Sequence, residues 1–131
     1  MKLLLDTHIW LWSLLAPEQL GRAVVRAFEQ PATDLWLSPI SVWEAVMLIE
    51  RGRVKVDRPA ADWVAEALAA VPLREAPLTH QVALESRRLR LAHADPADRF
   101  LAATARVYDL TLVTADRHLS RARDFSVLVN K

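Results

Sequence analysis

The 131-residue sequence contains no cysteine, which removes disulfides, thiolate metal sites and cysteine nucleophiles together and fits a reducing compartment. Glycine occurs only twice, at Gly21 and Gly52, so there is neither a glycine-rich phosphate loop nor a Gly-x-Ser-x-Gly nucleophile turn. Excess charge is missing as well. Seventeen basic residues face 16 acidic ones, for a net charge of +1. That excludes a uniformly basic nucleic-acid binder, but not a protein whose acids and bases are segregated. Long apolar runs are also absent. Met1-Lys2-Leu3-Leu4-Leu5 starts like a signal peptide, yet Asp6 interrupts it. The longest later run, residues 9–16, falls far short of the roughly 20 residues a membrane helix needs. A soluble cytoplasmic protein, without a membrane partner, is expected.

What the chain does contain is a globular mixture, 53% hydrophobic and 25% charged, in a length that suits one domain over residues 1–131. Fourteen of the 17 bases are Arg, a bias that phosphate recognition and codon preference would produce alike. Lys2–Leu5 reads as a buried strand and 9–15 as an apolar helix stopped near Pro17. Residues 17–30 carry a helical stripe of Leu20, Val24, Ala27 and Phe28. A second strand is expected at 35–37. Ser38-Pro39 then supplies an N-cap and a proline at the first helical position, opening a helix that stops at Gly52. Pro59 opens another through Val71, followed by a weak strand at 73–75 and a helix at 79–90. Asp95-Pro96 repeats the cap-then-proline start for a helix reaching Tyr108. A strand at 111–113, a short helix at 116–121 and a strand at Ser126–Val129 complete the chain. Strands alternating with helices predict an α/β three-layer sandwich, a parallel sheet with helices on both faces.

The informative residues are acids in apolar company. Asp6 is the only formally charged residue between Leu3 and Leu15, and Glu44 the only one between Leu35 and Ile49. Asp116 closes the run Leu112-Val113-Thr114-Ala115, and Asp98 falls in the first turn of the helix opened by Asp95-Pro96. An isolated carboxylate on an apolar face is costly unless it is paired, hydrogen-bonded or bound to a cation. Each acid also has a purely local use. Asp6, Asp95 and Asp116 can cap the helices that follow them, Asp98 suits a helix's first turn, and Glu44 can pair with Arg51. Asp6 and Asp116 nevertheless lie at the carboxyl ends of strands, where open parallel sheets bind ligands, and Glu44 and Asp98 lie early in helices that begin near those ends. Four carboxylates in one cleft repel, by roughly 4 kcal/mol per pair at about 4 Å and an effective dielectric of 20. Either some stay protonated or a hard cation such as Mg²⁺ or Mn²⁺ neutralises them, and such an ion supports phosphodiester hydrolysis. Histidine offers no alternative ligand set, since His8, His80, His93 and His118 lack a close metal-binding spacing.

At these residues the sequence resembles the PIN-domain ribonucleases, in particular the VapC-type toxins of bacterial toxin–antitoxin pairs. The matching pieces are Leu4-Leu5-Asp6-Thr7-His8, Ile40-Ser41-Val42-Trp43-Glu44-Ala45, His93-Ala94-Asp95-Pro96-Ala97-Asp98-Arg99-Phe100-Leu101-Ala102-Ala103 and Leu112-Val113-Thr114-Ala115-Asp116. No one piece is specific, but their order and spacing match across essentially the whole chain. The resemblance implies a five-stranded parallel sheet between helices and a Mg²⁺- or Mn²⁺-dependent site that cleaves single-stranded RNA, leaving a 5′-phosphate and a 3′-hydroxyl. It places the catalytic, metal-holding acids on Asp6, Glu44, Asp98 and Asp116, with Thr114 as a supporting hydroxyl and Asp95 as a cap or supporting group. Arg99 and Arg117, each beside one of these acids, are candidates for RNA phosphate contact or for a salt bridge to a neighbour. The implied partners are RNA, a small cognate antitoxin and a second copy of the chain. A PIN-fold binding module with little activity, or a housekeeping RNA-processing nuclease, would share the motifs. Five tryptophans occur, and Trp10 and Trp12, about 200° apart on a helix, cannot both face one narrow inward stripe, which leaves one for a partner interface. Setting the four acids aside leaves 17 bases against 12 acids, or +5, so near-neutrality is compatible with an Arg-rich surface approaching RNA.

Overall fold

Alternation decides the two faces of the sheet. In strand β1 (Lys2–Leu5), Leu3 and Leu5 enter one core cluster and Leu4 the other, as a period of two requires. Strand β2 (Asp34–Leu37) divides the same way, Leu35 and Leu37 against Trp36, and β4 (Thr111–Thr114) sends Val113 and Leu112 to opposite sides. Strands apolar on both faces need cover on both. Helices α1 (Thr7–Leu15), α2 (Arg22–Glu29), α3 (Pro39–Glu50) and α4 (Ala60–Ala70) supply it on one face. On the other lie α5 (His80–Arg88), α6 (Pro96–Val107) and α7 (Arg117–Ser120), of which α6 contributes the buried run Leu101, Ala102, Ala103 and Ala105.

With the short β3 (Arg74–Glu75) and β5 (Ser126–Val129), the sheet has the order β3-β2-β1-β4-β5, and every pair is parallel. This computed structural model describes residues 1–91 and 95–131 and shows the α/β sandwich that the strand–helix alternation predicts. The His93-Ala94 lead-in to the third motif lies outside the described residues. Among the described residues no helix is long and apolar enough to cross a membrane.

Most boundaries fall within one or two residues of expectation, and two departures have a visible cause. The first helix begins at Thr7, two residues early, because Asp6 accepts the Thr7 N–H and starts the turn directly at the strand end. The expected helix over 17–30 splits into a 3₁₀ turn, Pro17–Gln19, and α2. The break is imposed from a distance. Asn130 accepts the Gly21 N–H (2.6 Å) and donates to the Gln19 carbonyl (3.1 Å), so backbone groups that a continuous helix would use internally are held by the last strand's end. A β-carbon at Gly21 would collide with the Lys131 carbonyl, so only glycine fits this approach.

Candidate active site

Parallel strands share one carboxyl-end edge, and the chain leaves that edge through acids. Asp6 follows β1 directly, hydrogen-bonded through its own N–H to the Val113 carbonyl of the neighbouring β4. Asp116 stands two residues beyond β4 and caps α7, its Oδ1 accepting the His118 and Leu119 N–H groups at 2.7 and 3.2 Å. Ser38 caps α3 immediately after β2, and that helix carries Glu44. Asp95 caps α6, its Oδ1 accepting the Asp98 N–H at 2.8 Å, and Asp98 sits in the first turn.

Hydroxyls tie these acids together. Thr114 is fully buried; its Oγ1 donates to Asp6 Oδ2 (2.6 Å) and accepts the Asp116 N–H (3.0 Å). Thr7 gives its backbone N–H to Asp6 Oδ1 (2.7 Å) and places Oγ1 2.6 Å from Glu44 Oε1. At Glu44, Asp95 and Asp116 the protein's hydrogen bonds therefore engage one carboxylate oxygen, leaving the other with no protein donor among the described residues. Capping and cation binding are thus compatible uses of the same side chain. The capping geometry expected of Asp6, Asp95 and Asp116 is observed, whereas Glu44 makes no ion pair with Arg51 among the described residues and bonds Thr7 instead.

The acids act on one another electrostatically. Burial pushes the Asp98 carboxyl up to about 7, and the charges of Asp95, Asp6, Asp116 and Glu44 all add to the rise. Asp6 is raised by its burial against the bonds from Thr114 and Thr7, and Glu44 is raised by burial against the bond from Thr7. Oxygen donors in this number suit a hard divalent cation. Their spacing is wider than a closed cage: among the described residues no three Asp, Glu or His side chains stand close enough to hold an ion as placed. The donor chemistry of these oxygens fits Mg²⁺ or Mn²⁺.

Arg99 is used in a way neither expectation anticipated. Its guanidinium donates to the carbonyls of Ser86 (2.9 Å), Leu89 (3.3 Å) and Leu91 (2.8 Å), closing the C-terminal end of α5 against α6. Among the described residues it pairs with no acid, and its guanidinium is held against backbone carbonyls. Arg117 is exposed at the start of α7. Arg99→Met is expected to cost about 2–4 kcal/mol of unfolding free energy in urea, because three carbonyls lose their donor, whereas Arg117→Ala stays within about 0.5 kcal/mol. Equal, small losses at both positions would contradict the clamp.

Sequence reasoning missed Thr7, which bonds Glu44 from inside, and Ser41, which bonds Thr7, and misread the tryptophans. Trp10 is 2% exposed and Trp12 packs half-buried against the same cluster beside His8. Helix α1 is enclosed by both the sheet and α3, so the narrow-stripe premise fails, and the exposed indole is Trp43 at 58%, next to Glu44. Trp43 lies opposite the buried Ser41 and Ala45 on α3, a position that helical spacing does reveal once Ser41 is known to face inward.

Comparison with known proteins gives a consistent result. A model of the PIN domain family matches residues 3–124. Ribonuclease VapC22 of Mycobacterium tuberculosis is 34% identical over 121 residues, covering 92% of this chain and 91% of the relative. Among solved structures, VapBC2 from Rickettsia felis bound to a promoter DNA fragment superposes with a TM-score of 0.75 at 14% identity, over 100% of both chains. DNA-bound VapBC from Salmonella typhimurium gives 0.72 at 19% identity, over 98% of both chains. At such identities the last two show a shared fold.

Proposed function

This chain belongs to the PIN-domain family, in its VapC-type branch, and on that footing we propose that it is a Mg²⁺- or Mn²⁺-dependent endoribonuclease cleaving single-stranded RNA, the toxin of a toxin–antitoxin pair. The observation that carries this reading is the hydroxyl linkage at the carboxyl-end edge of the sheet, where Thr114 joins Asp6 to Asp116 and Thr7 joins Asp6 to Glu44, with Asp98 raised to about 7 by burial and by these neighbouring carboxylates. Such a site is electrostatically incomplete without a cation. Asp6, Glu44, Asp98 and Asp116 would hold the ion, directly or through water. When bound, a divalent cation lowers the pKa of an attacking water and offsets charge on the scissile phosphate and its leaving oxygen.

The protein's own groups do the rest. Thr114 and the Thr7 N–H fix both oxygens of Asp6, so the first acid cannot rotate away from the cleft. Capping bonds hold Asp95 and Asp116, each by one oxygen. Arg117 is exposed beside Asp116 and would meet an RNA phosphate, with the Arg-rich remainder supplying a favourable approach field. Cleavage by water would leave a 5′-phosphate and a 3′-hydroxyl. Structures of similar fold solved as VapBC and toxin–antitoxin assemblies support an antitoxin as the restraining partner, and a homodimer of this chain is part of the same proposal.

A second reading, a PIN-fold module that binds RNA or protein with little cleavage, is favoured by one observation: the wide spacing of the acids. One assay separates the two. Antitoxin-free protein, incubated with single-stranded RNA and Mn²⁺, is expected to cut it, and Glu44→Gln to cut at least about 10³-fold more slowly, as loss of a charge-stabilising group does. RNA retained intact on the wild-type protein would establish the binding module instead.

A further inference from the structure

Thr7 is 1% exposed, and its hydroxyl stands between two groups that the four-acid reading does not connect. Oγ1 is 2.6 Å from Glu44 Oε1 and 3.0 Å from Ser41 Oγ, and Ser41 is itself fully buried. A threonine hydroxyl has one proton and cannot donate to both. The nearer partner is a carboxylate oxygen and the stronger acceptor, so the Thr7 proton goes to Oε1. Ser41 must then donate to Thr7. The direction of the chain is thereby set, from Ser41 to Thr7 to Glu44.

Thr7 also gives its backbone N–H to Asp6 Oδ1 at 2.7 Å. One residue thus bonds two acids that lie 38 positions apart in sequence, through backbone on one side and side chain on the other. Glu44 Oε2 is left with no protein donor among the described residues. We propose that Thr7, with its hydroxyl oriented by Ser41, is the positioning residue that pins Glu44 Oε1 and reserves Oε2 for the cleft, and so sets the affinity of the site for a divalent cation. The hydrogen-bond chain stands on its own geometry, while its consequence for a cation rests on the proposed metal-dependent reading.

Calorimetric titration of the intact protein with Mn²⁺ tests this, with the metal-free melting temperature as a folding control. Thr7→Val, nearly isosteric, is expected to weaken Mn²⁺ binding about 10–100-fold, the usual effect of losing a hydrogen bond to a metal ligand, and Thr7→Ser to restore it. Ser41→Ala, which leaves Thr7 in place but removes the donor that orients its hydroxyl, is expected to fall between them and carries the test should Thr7→Val not fold. In a Glu44→Gln background, Thr7→Val is expected to bring no further loss, because it acts through Glu44. Undiminished Mn²⁺ affinity in Thr7→Val and Ser41→Ala, or an equal loss in the Glu44→Gln background, would overturn the positioning role. Wild-type protein that binds no Mn²⁺ would instead overturn the metal-dependent reading, and this role with it.

Discussion

Asp98→Asn is expected to raise the melting temperature at pH 8 and to abolish RNA cleavage in the same molecule. Folding lifts the Asp98 carboxyl from its ordinary 3.8 to about 7, burial first and the neighbouring carboxylates after it. The native state therefore holds a proton that the unfolded chain releases, and stability falls as pH rises between those values. Below about pH 4 the group is neutral in both states and adds no penalty; above pH 7 it is charged in both and the penalty is complete. Asparagine is neutral throughout, so its advantage grows from pH 5 to pH 8. Thermal unfolding at the two pH values checks the sign. A melting temperature lowered by Asp98→Asn at pH 8 would show that the carboxylate is not strained where it stands. Activity should move the other way, with cleavage down about 10³-fold or more, the trade expected where function needs like charges held together.

Addition of Mn²⁺ at pH 8 is expected to have the second large effect. A ligand that binds only the native state adds about 2.7 kcal/mol at 100 times its dissociation constant. For a chain of this length that corresponds to a rise in melting temperature on the order of 10 °C. At pH 5.5 the rise should shrink to well under half, because Asp98 then carries a proton that the ion must displace. In Asp98→Asn the rise should be small at both pH values. Equal shifts at pH 8 and pH 5.5 in the wild type would place the ion elsewhere on the protein.

These effects involve residues that could be read from the chain, and the reason is physical. Asp6 and Glu44 stand out because apolar neighbours surround them, and proline after Ser38 and Asp95 marks two helix starts within a residue. The same proximity to strand ends that the sequence implies is what lets the charges of Asp6, Glu44 and Asp116 act on Asp98. What could not be read involves partners far away along the chain. Thr7 meets Glu44 across 37 positions, and Gly21 meets Asn130 across 109. Neither leaves a periodic trace, since a hydroxyl or an amide matches its partner by geometry and not by repeat. Arg99 was misjudged for the opposite reason: its nearest neighbour in sequence is an acid, but its guanidinium is spent on the carbonyls of 86, 89 and 91.

The order of the sheet bears on how the protein is made. β1 is central, but one of its two neighbours is β4, which is synthesised more than 100 residues later. Until β4 arrives, Asp6 lacks both the Val113 carbonyl and the Thr114 hydroxyl that hold it. Pairing strands so distant in sequence is slow, because chain closure must precede the contacts that reward it. A nascent chain on the ribosome, already displaying Asp6, Glu44 and Asp98, therefore has no assembled cleft. A cleft arranged in this way is completed only when β4 has emerged and paired with β1.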